Sequence, residues 1–417
     1  MGNQLLHVVD LAQTIPAGGG FVKYPNKAMS TKLSASEPVP EQRVSLRAAL
    51  FAVAIAFAVG LLASLALRPL DQTDRADNPT NPTNVDGLTP SNRQIRWRIP
   101  IAFNSNLPAL GDNPLYIAEA LSSSTGGRIR FDIFDPGEIV PAFSIVDAVR
   151  ERKVEAGYTW LGYDQGKIPA SALLGAVPFG LEPWEYMAWW YNAGGEELAQ
   201  KLYSKNGVHV LLCGLIGPET AGWFRRPINS LDDVKGLKIR FAGLGGKVIS
   251  ALGASVTILP GGEIFQALEK GAIDATEYSL PNVDQKLGFD RVAKLNYFPG
   301  WHQPSTAAHL AINLDKWNEL AADDQASIRT VCTAGVTRNL AKAERLQGAV
   351  IANFPRKGVS AQRLPPELLL ELRRVAEAVF DEEAAKDTDF AAILESQRAF
   401  RREYQHWKKL AYLPRDF

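Results

Sequence analysis

The sequence predicts an α/β protein of two hinged lobes followed by a helical C-terminal segment. Three observations predict it. Strands alternate with short helices over residues 95–160 and again over 237–277, the pattern of largely parallel sheets. An alternating strand at Thr306–Asn313 then returns the chain toward the first lobe, so two connections cross between lobes, the plan of a protein that closes on a ligand. Beyond residue 322 the periodicity becomes helical. The expected units are an N-terminal extension and linker (1–94), a first lobe (95–215, with a return segment 305–345), a second lobe (216–304) and C-terminal helices (346–417).

At 417 residues the chain can bury a large core and hold more than one domain. Its 45 Lys and Arg balance 45 Asp and Glu without a basic run, so nothing suggests a nucleic-acid footprint. Nine Trp and eleven Tyr suit aromatic-lined pockets and a large core equally. Cys213 and Cys332 stand in no CxxC or Cys/His pattern, which gives metal-thiolate and redox chemistry little support. Two buried free thiols are expected, with a disulfide in an oxidising compartment as the alternative.

Residues 1–45 are polar and aperiodic. Residues 48–67 carry no charge, follow Arg43 and Arg47, and are closed by Arg68-Pro69. That run is long enough to span a bilayer, and its flanking charge favours an exported C-terminal body. It reads as an uncleaved anchor or as a long signal peptide with Ser64-Leu65-Ala66 as the small-residue cleavage site. Starting at Met29 would leave a basic n-region of ordinary length. No Cys follows the run, which excludes a lipoprotein anchor. Residues 71–94 are rich in Asn, Pro, Thr and Asp and are expected to tether the body flexibly.

The body opens with a strand over 96–103, a helix over 114–124 ended by Gly126-Gly127, a strand over 128–134, a helix over 141–152 and a strand over 154–160. Trp184, Trp189, Trp190 and Tyr191 crowd one segment, and their helical spacing argues for a packed helix over a carbohydrate platform. Val208–Ile216 is a strand, and residues 217–225 cross into the second lobe. There Ser230 is an N-cap candidate. A strand ending at Arg240 meets the turn Gly243-Leu244-Gly245-Gly246 and a helix over 247–252. A second unit repeats the plan: strand 254–259, helix 263–270, strand 273–277. Helices are expected over 322–346, 366–380 and 390–410, the last with alternating charges.

Ligands of parallel sheets gather at the carboxyl ends of the strands, where Arg240 and Glu277 both fall. An Arg there can grip both oxygens of a carboxylate, although a surface salt bridge would explain it too. The glycine-rich turn matches neither GxxxxGK[ST] nor GxGxxG with its distal acid, so it is read as a tight turn and not as a nucleotide site. His7, His209, His302, His309 and His406 form no HExxH or HxH, and each lone histidine reads as an ordinary core or surface residue. No GxSxG occurs, and Asp232-Asp233 and Asp323-Asp324 sit at helix starts where the dipole explains them. An enzyme is disfavoured.

The segments AVPFGL (176–181), GWFRRPINSLDDVKGLKIR (222–240), LPGGEIFQALEKGAIDATE (259–277) and FPGWHQP (298–304) resemble the substrate-binding proteins of TRAP (tripartite ATP-independent periplasmic) transporters. The resemblance covers most of residues 95–345 and is to the branch that binds 2-oxo acids and similar carboxylates. It implies a two-lobed periplasmic solute-binding fold, a small organic acid as ligand, and TRAP membrane subunits as partners. It implies that Arg240 pairs with the substrate carboxylate. Glu277 and Tyr278 match a Glu-Trp pair that binds a cation through the side-chain carboxylate and a main-chain carbonyl. Glu219 falls where the branch has a Gln metal ligand, and Gln303 where it has a Glu, so acid and amide look exchanged. Na⁺ or Ca²⁺ would take such oxygen donors, together with the chelating oxygens of a 2-oxo or 2-hydroxy acid. Trp160, Tyr163 and Trp223 are expected to line the pocket. C-terminal helices exchange between subunits in some members, which leaves a homodimer open. Two other readings remain: a periplasmic ligand-sensing module, and a metal-dependent lyase or hydrolase using Glu219 and Glu277 as acid and base.

Overall fold

The computed structural model describes residues 93–414. The 48–67 segment, read as anchor or signal, lies outside the described residues. Among the described residues no helix is long and apolar enough to cross a membrane.

In the first lobe β1 (Ile95–Pro100) and β2 (Ile129–Phe134) pair in parallel, connected by α1 (Asn113–Ser124). The first strand ends before Phe103; Ile101 makes a single bridge to Tyr158, which joins β1 to β3 (Ala156–Thr159). The helix expected over 141–152 is a short 3₁₀ turn, Ala142–Ser144, running into α2 (Ile145–Arg150). Then follow α3 (Ser171–Gly175), α4 (Pro183–Asn192) and α5 (Gly195–Ser204). The aromatic helix is the packed α4: Trp189 and Trp190 are buried, while Trp184 and Tyr191 face out. The strand β4 (Val208–Ile216) and the returning β10 (Thr306–Asn313) are buried at every position, and β10 lies antiparallel between β3 and β4. Mostly apolar runs such as VHVLLCGLI suit strands covered on both faces.

The second lobe is a six-stranded sheet ordered β11-β9-β5-β8-β6-β7. Its strands are β5 (Gly222–Phe224), β6 (Lys238–Arg240), β7 (Ser255–Thr257), β8 (Ala275–Thr276), β9 (Leu295–Phe298) and β11 (Ser360–Arg363). Helices α6 (Gly243–Ala251), α7 (Gly261–Glu269), α8 (Pro281–Lys286) and α9 (Phe289–Val292) connect them. The glycines expected as a turn before α6 are its first turn. A Cβ on Gly245 would lie 2.5 Å from the Phe241 ring and 2.8 Å from the His302 Cβ, so only glycine lets α6 start this close to both.

Of the segments that pass between the lobes, two meet at the site, 217–221 after β4 and 299–305 before β10. They run side by side: the Glu219 N–H donates to the Gln303 carbonyl at 3.2 Å. A Cβ on Gly300 would stand 2.1 Å from the Glu219 carbonyl oxygen, so this contact requires glycine.

After α10 (Leu314–Asn318), the 31-residue α11 (Ala322–Ala352) packs along β4. It brings Cys332 against Cys213, with Cα atoms 4.1 Å apart, and the two are joined in a disulfide. The expectation of two free thiols is thereby corrected; the 119-residue separation hid a contact that only this packing creates. The C-terminal segment is not purely helical either. β11 pairs in parallel with β9 and extends the second lobe's sheet before α12 (Pro366–Lys386) and α13 (Thr388–Ala411). α12 packs on α6 of the second lobe and ties to it through Lys247–Glu383, while α13 packs on α3, α4 and α5 of the first.

Candidate functional site

The carboxyl ends of β6 and β8 point at the two connecting segments, and the site forms where they meet. Parallel pairing sets Arg240 opposite Thr276, one residue short of Glu277. Both Arg240 and Glu277 are 1 % exposed. Arg240 Nη1 donates to the Glu277 carbonyl and to Glu277 Oε1, each at 2.7 Å, and its Nε donates to the Leu259 carbonyl at 3.2 Å. The guanidinium stands 5.1 Å from the centre of the Tyr278 ring. Glu277 Oε1 also accepts the Ala242 N–H at 2.6 Å. Burial works to raise the Glu277 pKa, but Arg240, His302 and the Ala242 N–H outweigh it and hold the carboxyl below its ordinary value.

Glu219, on the first connection, is 3 % exposed. The Thr306 hydroxyl donates to its Oε1 at 3.0 Å. The Gln303 amide, turned so that its nitrogen faces the carboxylate, donates to both Glu219 oxygens at 3.1 Å. Acid and amide are therefore direct neighbours. Burial pushes Glu219 up to about 7, the charge of Glu277 adds to this, and His302 and Thr306 oppose it.

His302, on the second connection, reads in the sequence as one lone histidine among five. Its Nε2 lies 3.7 Å from Glu219 Oε2 and 3.6 Å from Glu277 Oε2, too long for good hydrogen bonds. Burial works to lower its pKa, but the two carboxylates prevail and hold it up at about 9. Glu219, Glu277 and His302 could together hold a metal ion, since one donor atom from each lies within 4.8 Å of the others. Glu277 Oε2 and both ring nitrogens of His302 are buried without a hydrogen-bond partner. Buried polar atoms are rarely left in that state, so the donor set fits a bound cation. The signal is positional: His302 comes between Glu219 and Glu277 because the two connections meet, which no spacing in the chain reveals.

A cavity of about 20 Å³ borders the cluster, lined by Trp160, Tyr163, Glu219, Arg240, Glu277, Tyr278 and Gln303. Trp160 packs edge-on to Tyr163 with ring centres 5.0 Å apart, and its indole nitrogen is buried without a partner. Burial pushes the Tyr163 hydroxyl up to about 12, opposed by the nearby Arg240. Trp223 does not reach this cavity. Its indole N–H donates to the buried Asp284 at 2.8 Å and its ring packs on Phe354, so it braces the second lobe from within.

Two α/β lobes with a charged cleft where two of their connecting segments meet define a receptor that encloses a small solute. The chain belongs to the bacterial extracellular solute-binding protein family 7, which matches residues 104–387. A monocarboxylate 2-oxoacid-binding periplasmic protein of Nostoc is 35 % identical over 317 residues, covering 76 % of this chain and 86 % of that one. A TRAP transporter solute-binding protein of Bordetella bronchiseptica, with calcium and picolinate in its site, superposes with TM-score 0.75 at 30 % identity. That match covers 77 % of this chain and 95 % of the other. A Pseudoalteromonas atlantica counterpart with sodium and pyruvate gives TM-score 0.74 at 29 % identity, over 76 % and 97 % of the chains. The family is one of solute receptors and not of enzymes, which sets aside the acid–base reading of Glu219 and Glu277.

Proposed function

We propose that this chain is the periplasmic receptor of a TRAP-type secondary transporter. It closes on a 2-oxo or 2-hydroxy monocarboxylate held together with a cation, and delivers that acid to the transporter's membrane subunits. The observation that carries this reading is the convergence of a buried Arg240–Glu277 pair with Glu219 beside one small cavity. Arg240 takes one edge of the substrate carboxylate. A cation held by Glu277, Glu219 and the Tyr278 main-chain carbonyl takes the other carboxylate oxygen and the adjacent oxo or hydroxyl oxygen. Na⁺ and Ca²⁺ both accept such a shell of oxygens. Trp160 and Tyr163 flank the acid's tail, and Gln303 orients Glu219. The calcium–picolinate and sodium–pyruvate complexes of the relatives support this pairing of acid and ion.

A cavity of about 20 Å³ holds a water or an ion and not an organic acid, so the lobes must part to admit the ligand. Closure about segments 217–221 and 299–305 brings Glu219 and Gln303 against the strand ends that carry Arg240 and Glu277. The uncharged 48–67 run serves as export signal or inner-membrane anchor. The exposed end of α13, with Trp407 61 % and Leu410 88 % accessible, serves a homodimer.

The test is calorimetric titration of exhaustively chelated protein with short 2-oxo and 2-hydroxy acids, with and without Ca²⁺ or Na⁺. Binding that requires the ion supports the whole reading. Equal binding without it would remove the cation, and no binding of any such acid would overturn the substrate class.

A further inference from the structure

We propose that the acid carries an apolar tail of several carbons, and that the tail lies in a second cavity, beyond the Tyr278 ring, where Glu263 turns away a second carboxylate. The inference rests on the receptor reading above and adds to it where the tail goes and what it is.

Two cavities share a wall. The inner one, of about 20 Å³, is bordered by the groups that grip the acid's head in that reading, Arg240, Glu277 and Glu219. It has no room for a tail. The outer one, of about 250 Å³, lies between the lobes: Ala102, Leu107 and Pro141 line it from the first, Pro260, Gly261 and Tyr278 from the second. Tyr278 borders both cavities. Segment 102–110 does the same, giving Phe103 and Leu110 to the inner cavity and Ala102 and Leu107 to the outer.

The Tyr278 ring that divides them is fixed on several sides. The Arg240 guanidinium carbon stands over it, 5.1 Å from its centre. The Phe289 ring meets it at 81°, with centres 6.2 Å apart. A Cβ on Gly261 would stand 2.3 Å from the Tyr278 hydroxyl oxygen, so glycine at the start of α7 makes space for the ring. A tail leaving the Arg240–Glu277 end of the cleft therefore runs along this ring into the outer cavity.

The lining decides the tail's chemistry. Carbon atoms of alanine, leucine and proline favour methylene groups, each worth about fourfold in affinity when fully buried. Among the residues that line the outer cavity Glu263, in the first turn of α7, is the one charged side chain. A second carboxylate placed there finds no cation and meets a like charge. The outer cavity thus selects a monocarboxylate with a hydrocarbon tail over a dicarboxylate of the same length.

The experiment is calorimetric titration of the protein, with Ca²⁺ present, against pyruvate, 2-oxobutyrate, 2-oxopentanoate and 2-oxoglutarate. Affinity should rise about fourfold for each methylene from pyruvate to 2-oxopentanoate. 2-Oxoglutarate, which differs from 2-oxopentanoate by its second carboxylate, should bind at least about a hundredfold more weakly. Glu263 is exposed, so Glu263→Lys is expected to fold, and it should narrow that gap at least about tenfold. Pyruvate as the tightest ligand of the series would overturn the inference. An unchanged gap in Glu263→Lys would overturn it too, because the tail would then lie elsewhere; in both cases the receptor reading stands. If none of these acids binds, the receptor reading itself fails.

Discussion

Arg240 and Glu277 close neighbouring parallel strands and share a 2.7 Å ion pair with both side chains buried. Two bonds, to the Glu277 carboxylate and to the Glu277 carbonyl, come from the same guanidinium nitrogen. That concentrates the Arg240–Glu277 contact on one edge of the planar group. Arg240→Ala should therefore do two things. It should abolish binding of the carboxylate ligand, a loss of several kcal/mol. It should also destabilise the fold by about 3–5 kcal/mol, because Glu277 is left as a buried unpaired charge. Calorimetry and denaturant unfolding measure the two separately. Near wild-type affinity in this variant would sink the assignment of Arg240.

The contact between Glu219 and Gln303 gives a sharper test. Their side chains meet at 3.1 Å, so the acid and the amide that the resemblance implies are exchanged are direct neighbours. Glu219→Gln alone should remove a carboxylate ligand and weaken cation binding. Gln303→Glu alone should set two buried carboxylates against each other. The double variant keeps the charge and swaps only its place, so it should bind better than the two single losses sum to. A double-mutant cycle on cation affinity should return a coupling of about 1–3 kcal/mol. Additive effects would mean that only one of the two residues faces the ion.

Much of this architecture was legible in the chain, and the exceptions share a cause. β4 is legible as a long, mostly apolar run and β10 as an alternating strand. Arg240 and Glu277 were suspected because strand ends in a parallel sheet are where ligands gather. β11 was missed because SAQR is a polar strand at a sheet edge with no apolar alternation. His302, the Cys213–Cys332 bond and the inward turn of Trp223 toward Asp284 all depend on which segments meet in space. Local pattern carries no record of such meetings.

The disulfide bears on stability rather than on the site. It ties α11, the longest helix among the described residues, to β4 across 119 residues of chain. A cross-link of that span restricts the unfolded ensemble strongly, and removing it typically costs about 2–5 kcal/mol. The paired change Cys213→Ala and Cys332→Ala should lower stability by that amount and leave ligand affinity within about threefold, because neither cysteine lines the cavity at the site. Unfolding curves with and without reductant check it. Identical curves would mean that the thiols are not joined.

Acid should destabilise the fold through two buried histidines, His309 and His209, that do not line the cavity at the site. Burial pushes His309, on the central strand β10, down to about 3 from an ordinary 6.5. Its ring nitrogens find no hydrogen-bond partner, and its ring packs 5.0 Å from the Trp190 ring. His209 is also driven to about 3, by burial and then by the charge of Arg329. For both, the folded pKa lies below the unfolded one. The stability each protects is complete above pH 6.5 and drains away as the pH falls toward 3, because the unfolded chain takes up protons that the folded one refuses. Asp164 acts with the opposite sign. Burial raises it from 3.8 to about 7, so its contribution is complete below pH 3.8 and fades as the pH rises through 7. A comparison between variants separates these effects. His309→Gln removes one of the two acid-sensitive groups and leaves Asp164 untouched. Its melting temperature should fall less than that of the wild type between about pH 7 and about pH 5. Equal falls in the two proteins would show that His309 carries its proton in the folded state after all.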